Sequence, residues 1–279
     1  MNEEAKRSAG LAALKLLALL AVYLMVLVAT SLVWVILAGI DRYPESLDSA
    51  MQTLQIVSGG IFLAIVIRFY QKKRLPFARD TGLHRPGLSL AAYVMFAGYG
   101  VVLNLMFVIV LNLLPSSATA SYSVSVAEAL SGSGLFFHCL TILVYAPVSE
   151  EIFFRGLCLT YLRECMNPYL AAAFLSVVFG IAHAQPLWAG YTMLMGLVFS
   201  TAAIRTGSIF PSIVSHCTFN ATSFILYVTA LRFEADWPFG MPGFAVWLLL
   251  AAVAALAAKL TLTLYRLTGR CSAYGENPT

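Results

Sequence analysis

Charged side chains are what this sequence has fewest of: Lys and Arg number 17 and Asp and Glu 13, together 11% of 279 residues. A soluble domain carries about 25% charged residues, so a soluble fold of this chain would lack the polar groups to cover its surface. The five cysteines include no CxxC pair and no framework spacing, which removes zinc ribbons, thioredoxin-type redox centres and disulfide scaffolds. Cys139, Cys158 and Cys217 read instead as small apolar core residues. There is no HExxH, no glycine-rich phosphate loop, no internal repeat and no feature that implies a nucleic-acid partner. The apolar runs are continuous and lack the alternation of barrel strands, which removes a β-barrel. No cleavable signal peptide is expected, because the first apolar stretch, about 16–40, is longer than a signal core.

What is there is apolar, 60% of the chain. A helical span needs about 20 apolar residues, and eight stretches qualify: 11–40, 51–70, 88–114, 134–162, 168–185, 187–205, 208–231 and 242–266. The sixth is the weakest, bounded only by Pro186 and by Arg205-Thr206-Gly207. The segment 114–134 is small and polar and reads as an external loop or a short interfacial helix. Lys6, Arg7, Lys15, Arg68, Lys72, Lys73, Arg74, Arg79, Arg85, Arg163, Arg205, Lys259, Arg266 and Arg270 fall on one side of this arrangement. The positive-inside rule makes that side cytoplasmic. The expected architecture is an all-α polytopic membrane protein, one transmembrane domain over residues 1–279, with about eight spans and both termini in the cytoplasm.

Polar residues inside such spans are costly and point to function. Glu150, Glu151 and Arg155 interrupt the fourth stretch. Glu151 and Arg155 are four apart, on one face, with the acid N-terminal to the base, the favourable order for a pair. Glu150 is rotated by about a hundred degrees and points elsewhere. The expected division is therefore a structural Glu151–Arg155 pair and a chemical Glu150, with Pro147 bending or loosening the helix just upstream. His183 stands near the end of the fifth stretch, and His216 and Asn220 share one face of the seventh. Asn104 and Asn112 in the third suit helix packing better than chemistry. At 1.5 Å per residue, Glu150 lies roughly 20 Å in from Arg163 and His183 about 22 Å in from Pro168. His216 and Asn220 lie about 12 and 18 Å in from Ser208. Three spans thus carry polar groups to similar depths of a core about 30 Å thick.

These residues stand as Glu150-Glu151-Ile152-Phe153-Phe154-Arg155, Phe179-Gly180-Ile181-Ala182-His183 and His216-Cys217-Thr218-Phe219-Asn220. The three patterns EExxxR, FxxxH and HxxxN, in that order, resemble the CAAX-endopeptidase and bacteriocin-processing intramembrane proteases, the CPBP or ABI family. The lead-in Arg205-Thr206-Gly207-Ser208-Ile209-Phe210-Pro211 also resembles it, and the likeness covers about 135–225. The resemblance implies a helical bundle with a site inside the membrane, opening toward the cytoplasm, and hydrolysis of a peptide bond. It implies that Glu150 activates water with His183, that His216 and Asn220 stabilise the oxyanion, and that Glu151 and Arg155 hold the site together.

The chemistry suits those roles. Amide hydrolysis needs a base for water and donors for the charge that grows on oxygen. A carboxylate in a low-dielectric pocket gains proton affinity, and an asparagine donates without ionising. Two histidines and a carboxylate also match a catalytic zinc sphere with one open position, in which case His183, His216 and Glu150 are the ligands. The family has been described both as metalloproteases and as metal-independent glutamate proteases; the metal-free form is preferred here. Expected partners are membrane lipid and a peptide or lipidated-protein substrate, and the expected location is the bacterial cytoplasmic membrane. Two other classes stay open: a proton-coupled transporter, since intramembrane Glu and His also build proton relays, and a catalytically silent scaffold in bacteriocin immunity or secretion.

Overall fold

The computed structural model describes residues 3–38, 47–84, 87–115, 117, 119–120, 124, 139–183, 185–233 and 243–269. The external segment expected at 114–134 and the charged tail with Arg270 fall largely outside these residues. The described elements are helices: α1 Glu3–Ala38, α2 Leu47–Lys73, the short α3 Phe77–Asp80, α4 Leu90–Leu113, a composite α5 over 141–165, α6 Pro168–Ile181, α7 Pro186–Thr206, α8 Phe210–Phe233 and α9 Gly243–Thr268. Each apolar stretch read from the sequence holds one of them.

By length and composition, four described segments suffice to cross a membrane: Ser8–Ile36, Leu90–Leu113, Pro186–Thr206 and Phe244–Thr268. Their outward faces are apolar. Ile36 is 76% exposed, Leu90 80% and Phe244 69%. Fully burying one such side chain is worth about 1.5–3 kcal/mol, and the protein leaves dozens uncovered, so their solvent is lipid. This is a multi-pass helical membrane protein.

Two of the expected spans exchange rank. The stretch 168–185 does not run through as one helix: α6 stops at Ile181 after 14 residues, about 21 Å of rise, short of a core about 30 Å thick. The reason is Pro186. The residue before a proline is pushed into extended backbone, and Gln185 adopts φ −78°, ψ 126° and caps the next helix. By contrast α7, read as the weakest span, is a full 21 residues. Its ends are well made. Pro186 takes the first turn, where a missing N–H costs nothing, and the Gln185 side chain accepts a bond from the Trp188 N–H at 2.8 Å. At the other end Gly207 sits at φ 68°, the left-handed position that glycine adopts without steric cost.

The chain divides into two compact units, Met1–Leu83 with Ser123–Leu175, and His84–Tyr122 with Ser176–Thr279. In the first, Phe62, Val66 and Tyr70 of α2 and Leu157 of α5 form a buried core against Leu19, Val22, Tyr23 and Val26 of α1. Tyr23, Phe62 and Phe153 close it as a ring cluster with centroids 4.9–5.4 Å apart. In the second, Phe96, Tyr99, Val102 and Leu103 of α4 meet Met195, Phe199, Phe219, Ala257 and Leu264 from α7, α8 and α9. Small polar residues stitch α4 to α8: Ser215 Oγ donates to the Phe96 carbonyl at 2.8 Å and Thr218 Oγ1 to the Ala97 carbonyl at 2.9 Å. Asn104, fully buried, donates from its amide to Ser223, so it serves packing as expected; Asn112 bonds within its own helix.

Candidate active site

Glu150 and Glu151 sit in α5, where the chain departs from ordinary helix. Wide π-type turns run over Thr141–Tyr145 and Glu151–Cys158, on either side of the α-helical Ala146–Glu150. The first ends next to Pro147, which has no N–H to give and whose ring crowds the carbonyl four residues back. A π turn relieves both problems by adding a residue, and such turns recur at functional sites. The loosening expected at Pro147 is therefore a wide turn. Tyr145 anchors it: its hydroxyl donates to the Ile56 carbonyl at 2.6 Å, in a notch of α2 at Gly59, where a Cβ would stand 3.0 Å from that oxygen.

The two glutamates are in different surroundings. Glu151 has no exposed surface and takes a 2.9 Å ion pair from Arg155 Nη1, whose side chain is 1% exposed. Glu150 is partly exposed. Gly156 then lets α5 press against Thr81, since a Cβ there would stand 3.0 Å from the Thr81 carbonyl oxygen. The pairing read from the four-residue spacing is thus present, and it seals one acid away while the other keeps access.

In the second unit, His183 lies on the turn after α6 and is partly exposed. Its Nδ1 is 2.7 Å from the Phe179 carbonyl. A carbonyl only accepts, so Nδ1 carries a proton, and in the neutral imidazole of that tautomer the lone pair is on Nε2. The buried Phe179 ring touches both histidines, with centroids 4.7 Å from His183 and 6.3 Å from His216. His216, buried on α8, also meets the Phe199 ring of α7 at 5.1 Å. Asn220 follows one turn later and is partly exposed. This unit brings His183 and His216 around one ring, with Asn220 a turn from the latter.

Residues 132–222, about a third of the chain, match the family model described as Type II CAAX prenyl endopeptidase Rce1-like. This segment of the chain is Rce1-like. The match contains all three motifs and ends just beyond Asn220, so the likeness to CAAX endopeptidases read from the motifs holds. The chain also resembles an Escherichia coli protein named "Uncharacterized 24.3 kDa protein", with 37% identity over 82 residues. Those residues are 28% of this chain and 38% of that relative, so the likeness spans well under half of its length. No solved structure matches the chain significantly.

Among the described residues no three His, Cys, Asp or Glu side chains are grouped to hold an ion. Of the zinc ligands named from the sequence, His183 and His216 belong to the second unit and Glu150 to the first.

Several residues that position the Rce1-like motifs were not singled out from the sequence: Phe199, Tyr145 with Gly59, and the contacts of Ser215 and Thr218 that hold the His216 turn against α4. The available signal was small residues, Gly100 on one helix and Ser215 and Thr218 flanking His216 on the other, at a spacing that lets helices approach closely. A Cβ at Gly100 would overlap the Ser215 carbonyl oxygen and Thr218 Oγ1. Gly100→Ala is expected to cost about 1–3 kcal/mol, the usual charge for overpacking, and to lower the unfolding midpoint in detergent. An unchanged midpoint would mean that α4 and α8 are not in this close contact.

Proposed function

We propose that the protein is an intramembrane endopeptidase that hydrolyses a peptide bond of a membrane-associated peptide or lipidated protein. The observation that carries this reading is the division of the glutamate pair: one acid is sealed in an ion pair with Arg155 and the neighbouring one keeps access. Glu150 takes a proton from water as the water oxygen attacks the scissile carbonyl carbon. His183 shares that proton through Nε2, the nitrogen left with a lone pair, and it passes to the departing amine. His216 and Asn220 donate to the oxygen of the tetrahedral intermediate, and Glu151 with Arg155 keeps the helix in register. A base of this kind contributes about 10²–10⁴ in rate and an oxyanion donor about 10²–10³.

In this reading the chain forms one transmembrane domain of eight spans. The asymmetry of the cations supports both termini facing the cytoplasm, with the site opening on that side of a bacterial cytoplasmic membrane. His183 would sit on the turn that follows α6.

The test is reconstitution of the full chain in liposomes with a panel of labelled membrane-tethered peptides, with and without chelator, and a metal assay on the same preparation. Cleavage that survives chelation, with metal far below one per chain, is expected. Cleavage abolished by chelator and restored by zinc would replace the glutamate mechanism with a metal one. Proton-driven uptake that needs Glu150, with no peptide cut, would remove the protease reading altogether.

A further inference from the structure

The end of α2, the turn after it and α3 carry cations that neither the site nor the fold consumes. Arg68, Lys72, Lys73, Arg74 and Arg79 are all exposed, and among the described residues none is in an ion pair. A topology signal needs only the charge, wherever the loop happens to run. Here the loop is built. Thr160 of α5 donates to the Asp80 carbonyl at 3.3 Å, Thr81 packs on Gly156, and the Phe77 ring sits edge-on to Tyr70 at 5.3 Å. The cations are therefore held on the helix of the glutamate motif rather than on a loose linker.

Arg74 adds an independent observation. It stands at φ 55°, a left-handed conformation, where its N–H bonds the Gln71 carbonyl at 3.1 Å and the Leu75 N–H bonds the Tyr70 carbonyl at 2.9 Å. This is the helix-closing pattern in which glycine is the favoured residue at the left-handed position. An arginine there carries strain that glycine would not, the kind of local strain that accompanies function. Between the cations lie two exposed apolar side chains, Phe69 and Leu75. Cations interleaved with apolar anchors suit the boundary between acyl chains and phosphates.

We propose that Arg68, Lys72, Lys73, Arg74 and Arg79 form a collar that binds the phosphate groups of anionic membrane lipids. The measurement needs no turnover, so its outcome is independent of the protease reading. Purified full-length protein is titrated with phosphatidylglycerol or phosphatidylcholine and the retained lipid is counted by native mass spectrometry. Wild type is expected to hold phosphatidylglycerol at least tenfold better than phosphatidylcholine, in a salt-weakened manner, with inorganic phosphate failing to displace it. Each cation removed should weaken binding about fivefold, the change that about 1 kcal/mol makes. Arg74→Gly is the decisive variant. It should bind phosphatidylglycerol about fivefold more weakly with an unfolding midpoint no lower than wild type, which a purely structural role would not produce. Lys72→Gln/Lys73→Gln/Arg79→Gln should lose nearly all preference. Equal retention of the two lipids by wild type, or unchanged preference in both variants, overturns the proposal. Tighter binding of an acidic peptide than of phosphatidylglycerol, lost in the triple variant, would overturn it in favour of a peptide site.

Discussion

Glu150→Gln is expected to lower peptide hydrolysis by about 10²–10⁴ while leaving the unfolding midpoint within experimental scatter of wild type. The substitution keeps the size of the side chain and removes only its capacity to accept a proton from water. Glu150 is partly exposed, whereas Glu151 makes the buried pair with Arg155, so exchanging the Glu150 carboxylate for an amide of the same size leaves that pair in place. The measurement is initial rate against a membrane-tethered peptide in liposomes, with circular dichroism and thermal unfolding on the same batch. Loss of rate together with loss of fold would assign Glu150 a structural part. Turnover equal to wild type would remove it as the base. The same assay separates the donors, because Asn220→Ala removes a neutral hydrogen bond and should lower the rate by about 10²–10³.

The long helices were legible because lipid is a simple solvent. It demands about 20 apolar residues per span, and Pro186 and Gly207 mark their breaks in the sequence as they do in the structure. Glu151 and Arg155 were legible for an equally local reason, since residues four apart on a helix are neighbours. What periodicity missed is where the backbone leaves the ideal helix. The depth given to His183 assumed one helix through 168–185, whereas the residue stands on the turn after Ile181. The wide turn at Thr141–Tyr145 goes with Pro147 and with the Tyr145 bond to Ile56, which lies 89 positions earlier in the chain. The Phe199 contact with His216 and the Ser215 and Thr218 bonds to α4 are likewise tertiary. When nearly every side chain is apolar, hydrophobic pattern no longer says which face meets which helix. The candidate polar residues could be picked out from the sequence alone, and their scaffolding could not.

The largest effect on stability is expected at Arg155. Arg155→Met leaves Glu151 fully buried beside an apolar side chain, and breaking a buried pair in this way costs about 3–5 kcal/mol. Relaxation offers little escape. Gly156 is pressed against Thr81, and Leu157, Cys158 and Leu159 are buried too, so the helix has no room to turn the carboxylate outward. Glu151→Gln should cost less than Arg155→Met, because a guanidinium left facing a neutral amide keeps one hydrogen-bond acceptor. The double variant Glu151→Gln/Arg155→Met should recover much of the loss, since it buries no net charge, and uncompensated charge is where most of the penalty lies. Urea or detergent unfolding of the four proteins gives the coupling energy directly. If the single variants unfold within about 0.5 kcal/mol of wild type, the ordinary range for surface substitutions, the pair is not the buried tie seen here. If the double variant regains stability and also cleaves peptide, Glu151 is structural and the working acid is Glu150. If it regains stability and stays inactive, Glu151 takes part in the chemistry, and the division between the two glutamates fails.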